Sequence, residues 1–153
     1  MKPRLKSVTH VAARAGCAAF LLAAGIQAAQ AQQAPYTQQQ VANGQQAYNA
    51  HCSQCHAADL SGQSGPALAG PQFQSSLEFS KMSAKQLYDF ISTQMPYDDP
   101  GSLKKDQYLD VLAYLLSKND YPSDNTKLTE KNLSQVQLLP YPGGNGKHAS
   151  KGD

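Results

Sequence analysis

Cys52-Ser53-Gln54-Cys55-His56 places two thiols and an imidazole within five residues. Two cysteines separated by two residues, with a histidine directly after the second, form the spacing for covalent haem attachment. Each sulfur must reach one vinyl-derived carbon of the same porphyrin, while the next imidazole comes in under the iron. Once both thioethers exist, the histidine is held at the metal at very high effective concentration. Two other chemistries use thiols at this spacing. A redox-active disulfide in a thioredoxin-like site wants a strand before the motif and alternating βαβ units, and the sequence shows neither. A zinc site needs further Cys or His ligands, and beyond residue 31 only His51 and His148 remain outside the motif. One covalent haem c is therefore the expected cofactor, with Cys52 and Cys55 as its thioethers and His56 as an axial iron ligand.

An iron held by His56 has one more axial position, and its occupant largely decides what the centre does. An open position binds gases or peroxide; a filled one restricts the metal to electron transfer. The candidates are His51, His148, Met82 and Met95. His51 immediately precedes Cys52, on the attached side of the ring. His148 lies in a polar tail. Met82 has a sufficient role as a hydrophobic staple onto Leu87. Met95 remains, on a loop and followed by Pro96.

The elements that must position these groups read as helices. Thr37 with Gln40 forms a capping-box pattern, and Tyr36 is placed to staple onto Val41. Val41, Gly44 and Tyr48 then share a face of a helix leading into the motif. Gly44 in a helix interior costs about 1 kcal/mol relative to alanine, which points to the close approach of another helix. Residues 57–72 are rich in Gly, Ala, Ser and Pro, and read as a loop. Within it, Gly65-Pro66-Ala67-Leu68 offers a proline carbonyl that could accept from His56, an ordinary turn being the alternative. Ser83 and Gln86 cap a second helix with Leu87, Phe90 and Ile91 on its apolar face, ending before Pro96. Ser102 is placed to cap a third, running to about Lys118, with Tyr108, Val111, Leu112 and Leu115 in its stripe. Residues 128–139 suggest a short helix or an extended wrap.

The ends carry a different signal. Lys2, Arg4, Lys6 and Arg14 precede an apolar run from Ala15 to Ile26, and Ala29-Gln30-Ala31 fits a cleavage site. The expected organisation is a signal peptide over residues 1–31, a domain over 32–139 beginning with a flexible Gln32–Tyr36, and a disordered tail over 140–153. The apolar run is short for a membrane span, so no stable membrane insertion is expected after cleavage. Four of the thirteen basic residues and none of the eleven acidic ones lie before residue 32, which leaves a net charge of −2 on the remainder. That balance gives no reason to expect nucleic acid as a partner.

Taken in order, these features resemble the class I cytochrome c family over about residues 37–120. The resemblance implies an all-α fold, three to four helices with loops wrapped around one covalently bound haem. It places the proline carbonyl that accepts from the histidine ligand at Pro66, and the methionine ligand at Met95 before Pro96. It also packs Tyr114 of the last helix against Gly44 of the first. Residues 95–116 look especially like cytochromes that serve bacterial periplasmic dehydrogenases. The implied function is one-electron transfer in the periplasm, from a dehydrogenase to an oxidase or another cytochrome, without catalysis by the chain itself. A permanent subunit of a dehydrogenase or oxidase complex is the alternative, and a ligand-binding haem protein with an open sixth site is a further one. The chain departs from mitochondrial relatives in following Met95 with Tyr97, Asp98 and Asp99, where those relatives surround the haem edge with lysines.

Overall fold

The computed structural model describes residues 33–142, so the expected signal peptide and most of the expected tail lie outside the described residues. Among the described residues five α-helices follow one another: α1 (Gln38–His51), α2 (Ser53–His56), α3 (Gly70–Ser80), α4 (Ala84–Gln94) and α5 (Lys105–Lys118). A 3-10 turn follows at Leu133–Gln135. Among the described residues there is no strand, only an isolated parallel bridge between Ala34 and Ser123. The all-α expectation holds, with one more full helix than the sequence suggested.

The start of α1 is built by local chemistry. Thr37 Oγ1 accepts from the Gln40 amide at 3.2 Å, and Gln40 Oε1 accepts from the Thr37 amide at 3.4 Å, so two otherwise orphaned donors are satisfied. Gln40 has a second task. It is 4 % exposed, and its side chain also bonds both the amide and the carbonyl of Leu128, at 2.7 and 3.0 Å. The cap thereby ties α1 to the chain 88 residues later.

α1 and α5 cross in direct backbone contact. A Cβ on Gly44 would lie 1.9 Å from the Asp110 carbonyl oxygen and 2.9 Å from the Tyr114 Cβ. The glycine is the condition for this crossing, which places Tyr114 against α1 as the resemblance implied. Tyr48 and Tyr114 then pack with ring centroids 5.4 Å apart. Eight of the fourteen residues of α5 are buried, which makes it the element around which the others assemble.

Three features differ from the sequence reading. α3 was not expected: Ala69 offers no side-chain cap, a glycine and a proline open the helix, and only Phe73 and Leu77 turn inward. On α4 the buried positions are Ala84, Leu87 and Tyr88, with Phe90 left 46 % exposed. The stripe runs at three- and four-residue steps, and Phe90 lies beyond its edge. α5 begins at Lys105 rather than after Ser102, because Tyr108 reaches back and its hydroxyl accepts from the Leu103 amide at 3.3 Å. Ser102 and Leu103 are thereby held in the loop.

Both ends of the described stretch are packed. Ala34 and Tyr36 are buried in place of the expected flexible start, since the Ala34 amide donates to the Pro122 carbonyl at 2.7 Å and the Asp124 amide to the Ala34 carbonyl at 3.2 Å. The Tyr36 hydroxyl donates to the Tyr121 carbonyl. Leu128, Leu133, Val136, Leu138 and Tyr141 join the same core cluster as Phe73, Leu87 and Leu112. The packed body thus reaches Tyr141, past the boundary expected at residue 139.

Candidate haem site

The motif lies at the junction of α1 and α2. The Cys52 amide donates to the Tyr48 carbonyl at 2.8 Å, and the Cys55 and His56 amides donate back to the Cys52 carbonyl at 3.1 and 3.0 Å. One helical turn therefore places the two cysteines three residues apart on one side. Both thiols are free, Cys52 half-buried and Cys55 exposed. Burial, with the neighbouring Cys55 adding to it, pushes the Cys52 thiol up to about 11. A reactive redox dithiol needs the opposite, a thiol with its pKa lowered. Among the described residues, no three His, Cys, Asp or Glu side chains converge as a metal cluster would require.

His56 is 8 % exposed, and its ring is fixed from two sides. Nδ1 lies 2.7 Å from the Pro66 carbonyl oxygen. A carbonyl can only accept, so Nδ1 carries the proton and Nε2 is left as the ring's metal-binding atom. Gly65 lies against the ring itself: a Cβ there would sit 2.8 Å from Cε1, 2.9 Å from Nδ1 and 3.2 Å from Nε2. Only a residue without a side chain leaves this imidazole its place.

The loop from 57 to 70 is folded back onto the motif. The Cys55 carbonyl accepts from both Gln63 and Gly65, at 3.1 and 2.8 Å, and the His56 carbonyl accepts from Gly62 at 3.0 Å. The chain leaves α2 through Ala57, at φ 61° and ψ 155°, a conformation that non-glycine residues rarely adopt. Tyr48 holds it there, its hydroxyl donating to the Ala57 carbonyl at 2.6 Å and reaching the His56 carbonyl at 3.2 Å. Burial pushes the Tyr48 phenol well above its ordinary range, so it stays a donor.

Met95 caps the C-terminus of α4 with an extended backbone. Its amide donates to the Ile91 carbonyl at 3.2 Å, and its carbonyl accepts from the Gly101 amide at 3.2 Å and the Tyr108 hydroxyl at 2.7 Å. Its backbone is pinned from both α4 and α5. The side chains of the two candidate methionines differ: Met82 packs against the main core, whereas half-buried Met95 packs against neither core cluster. Tyr48, Gly65 and Tyr108 were not foreseen as parts of the site. Tyr48 and Tyr108 read as ordinary members of an apolar stripe, and Gly65 only as the residue that precedes Pro66 in Gly65-Pro66-Ala67-Leu68, with no contact of its own.

Residues 39–115 match the family described as cytochrome c oxidase, cbb3-type, subunit III. The chain belongs to the c-type cytochrome family. The donor set fits the haem that this family carries: two unpaired thiols one turn apart, an oriented imidazole, and a glycine-lined face that a Cβ would fill. Among solved structures, the cytochrome is similar to the sulfane dehydrogenase SoxCD from Paracoccus pantotrophus, at 25 % identity and a TM-score of 0.50. That likeness covers 72 % of this chain and 59 % of the other, so the cytochrome spans about three-fifths of its length. It is also similar to cytochrome cL from Methylophaga aminisulfidivorans, at 23 % identity, covering 65 % of this chain and 67 % of that one, with a TM-score of 0.38. No curated protein sequence matches.

Proposed function

We propose that this cytochrome is a periplasmic one-electron carrier. In this reading it holds a single haem covalently through Cys52 and Cys55, with His56 and Met95 as axial ligands. The observation that carries it is the clasp on His56, with Nδ1 at 2.7 Å from the Pro66 carbonyl and Gly65 against the ring face. Such a clasp presents Nε2 in one orientation and raises the basicity of the imidazole. Bound there, the haem supplies a one-electron couple at its iron. The chain's own part is to hold rather than to react. Tyr48 keeps the exit from α2 closed, and Tyr108 fixes the backbone from which Met95 offers its thioether. Half-buried Leu68, on the loop that carries Pro66, contributes an apolar side chain beside the motif, and apolar surroundings raise a haem potential.

The direct test is mass spectrometry of the exported protein, followed by carbon monoxide added to its reduced form. One haem added to the chain, with no rapid stoichiometric carbon monoxide binding at neutral pH, is the expected result. Rapid binding would remove Met95 as a ligand and favour a ligand-binding haem protein.

The donor is a dehydrogenase in this reading, and the acceptor an oxidase or another cytochrome. The likeness to a sulfane dehydrogenase supports a redox enzyme as partner, and also favours a second form of the proposal, a permanent cytochrome subunit of such a complex. Size-exclusion chromatography of native extract separates the two, since a free carrier elutes as a small monomer. Among the described residues no helix is long and apolar enough to cross a membrane.

A further inference from the structure

Asn119, directly after α5, is 1 % exposed, and its amide uses its whole hydrogen-bonding capacity. Nδ2 donates to the Leu68 carbonyl at 2.9 Å and to the Leu115 carbonyl at 2.8 Å. Oδ1 accepts from the Gly70 amide at 3.2 Å and from the Tyr141 hydroxyl. Two donors and two lone pairs are all matched, the maximum a carboxamide can reach. Closing α5 does not require this, because the Asn119 backbone amide already bonds the Leu115 and Leu116 carbonyls. Two of the four side-chain bonds cross instead to Leu68, on the loop that carries Pro66, and to Gly70, where that loop enters α3.

Pro66 has no amide proton, and its carbonyl is engaged by His56, so its place depends on its neighbours. On one side the Gly65 amide is tied to the Cys55 carbonyl at 2.8 Å. On the other, the Leu68 amide is tied to the Leu60 carbonyl at 2.8 Å, and the Leu68 carbonyl to Asn119. Asn119 is thus one of the fixed points between which Pro66 is held. Tyr141, itself buried, holds Asn119 in turn.

We propose that Asn119, locked by Tyr141, is a positioning residue for the His56 imidazole, acting through the Leu68–Gly70 anchor and the Pro66 carbonyl. The segment after α5 is then part of the haem site's support, not merely a wrap over the core. The proposal rests on His56 being the iron ligand. Loosening the anchor weakens the Nδ1–H bond to Pro66, lowers the basicity of the imidazole and disfavours the oxidised iron, so the reduction potential rises.

The test uses the full-length, haem-loaded protein and three variants. Tyr141→Phe removes one buried hydroxyl, and Asn119→Ala removes the whole brace. Tyr121→Phe is the control: its hydroxyl donates to the Leu138 carbonyl at 2.6 Å, in the same segment, with no bond to the Asn119 side chain. Amide hydrogen exchange at Gly70 and Leu68, and the reduction potential, are measured on each. Tyr141→Phe should speed Gly70 exchange about tenfold relative to Tyr121→Phe, and shift the oxidised-to-reduced equilibrium about threefold, or about 30 mV upward at 59 mV per tenfold. Asn119→Ala should do more on both; if it fails to fold, Tyr141→Phe alone decides. An intact His56 ligand, with Gly70 exchange and potential no different in Tyr141→Phe and Tyr121→Phe, overturns the proposal by itself. A His56→Ala variant that keeps the wild-type axial spectrum overturns the ligand assignment, and the proposal with it.

Discussion

Replacing Gly65 with alanine puts a methyl group against the face of His56. The added carbon would meet the ring at 2.8 Å from Cε1, where ordinary contact begins at 3.4 Å, so ring or loop must yield by about 0.6 Å. Gly65 is not among the positive-φ residues, and alanine there carries no backbone strain, so the ring contact is isolated as the cause. The same yielding would stretch the 2.7 Å bond from Nδ1 to Pro66 toward 3.3 Å, the outer edge of a hydrogen bond. Overpacking of this kind destabilises by about 1–3 kcal/mol, and the hydrogen bond contributes about 1 kcal/mol. If that bond favours the oxidised iron by about 1 kcal/mol, its loss raises the potential by about 40 mV, at 59 mV per tenfold. Redox titration of the loaded protein, alongside thermal unfolding, reads both effects. An unchanged potential in a protein of unchanged stability would refute the clasp as a device that tunes the iron.

Gly44→Ala should destabilise by about 2–4 kcal/mol in denaturant unfolding, even though alanine is the better helix former by about 1 kcal/mol. The new carbon would stand 1.9 Å from a backbone oxygen that cannot rotate away, and a more stable variant would contradict the helix crossing. Tyr108→Phe removes the hydroxyl that holds the Met95 carbonyl, and should let carbon monoxide bind the reduced protein faster than in wild type, though slower than in Met95→Ala. Stability should also fall as pH rises above about 10. Burial, with Asp120 adding to it, pushes the Tyr141 phenol up to about 12, and burial also raises Tyr121. Between those values the unfolded chain binds fewer protons than the folded one, so alkali favours unfolding. Tyr141→Phe should flatten that slope in a denaturant series across pH.

What the sequence made legible is mostly local. The capping boxes at Thr37–Gln40 and Ser83–Gln86 depend on residues three apart, and both form. The individual helices followed from their periodicity, the fold class from the resemblance to class I cytochromes c, and Gly44 from the cost of a glycine inside a helix. α3 escaped notice because it starts on Gly70 and Pro71, without a capping side chain, and presents only two inward residues. The packed ends escaped for a different reason. Gln40 with Leu128, Ala34 with Pro122 and Asn119 with Tyr141 join residues 22 to 88 positions apart, and no periodic pattern encodes which distant polar group a buried side chain will meet. Pro66 could be singled out because a proline leaves only its carbonyl to offer. Gly65 was marked only as its neighbour, since its own importance lies in what a side chain there would strike.

Proton nuclear magnetic resonance of the reduced protein reads the proposed ligation of the iron by His56 and Met95. A methionine methyl group bound at the iron lies over the porphyrin ring and is displaced far upfield by its ring current. The expected result is one such methyl signal in the wild-type protein, retained in Met82→Ala and lost in Met95→Ala. A wild-type protein without that signal, or one that loses it in Met82→Ala, would contradict the assignment.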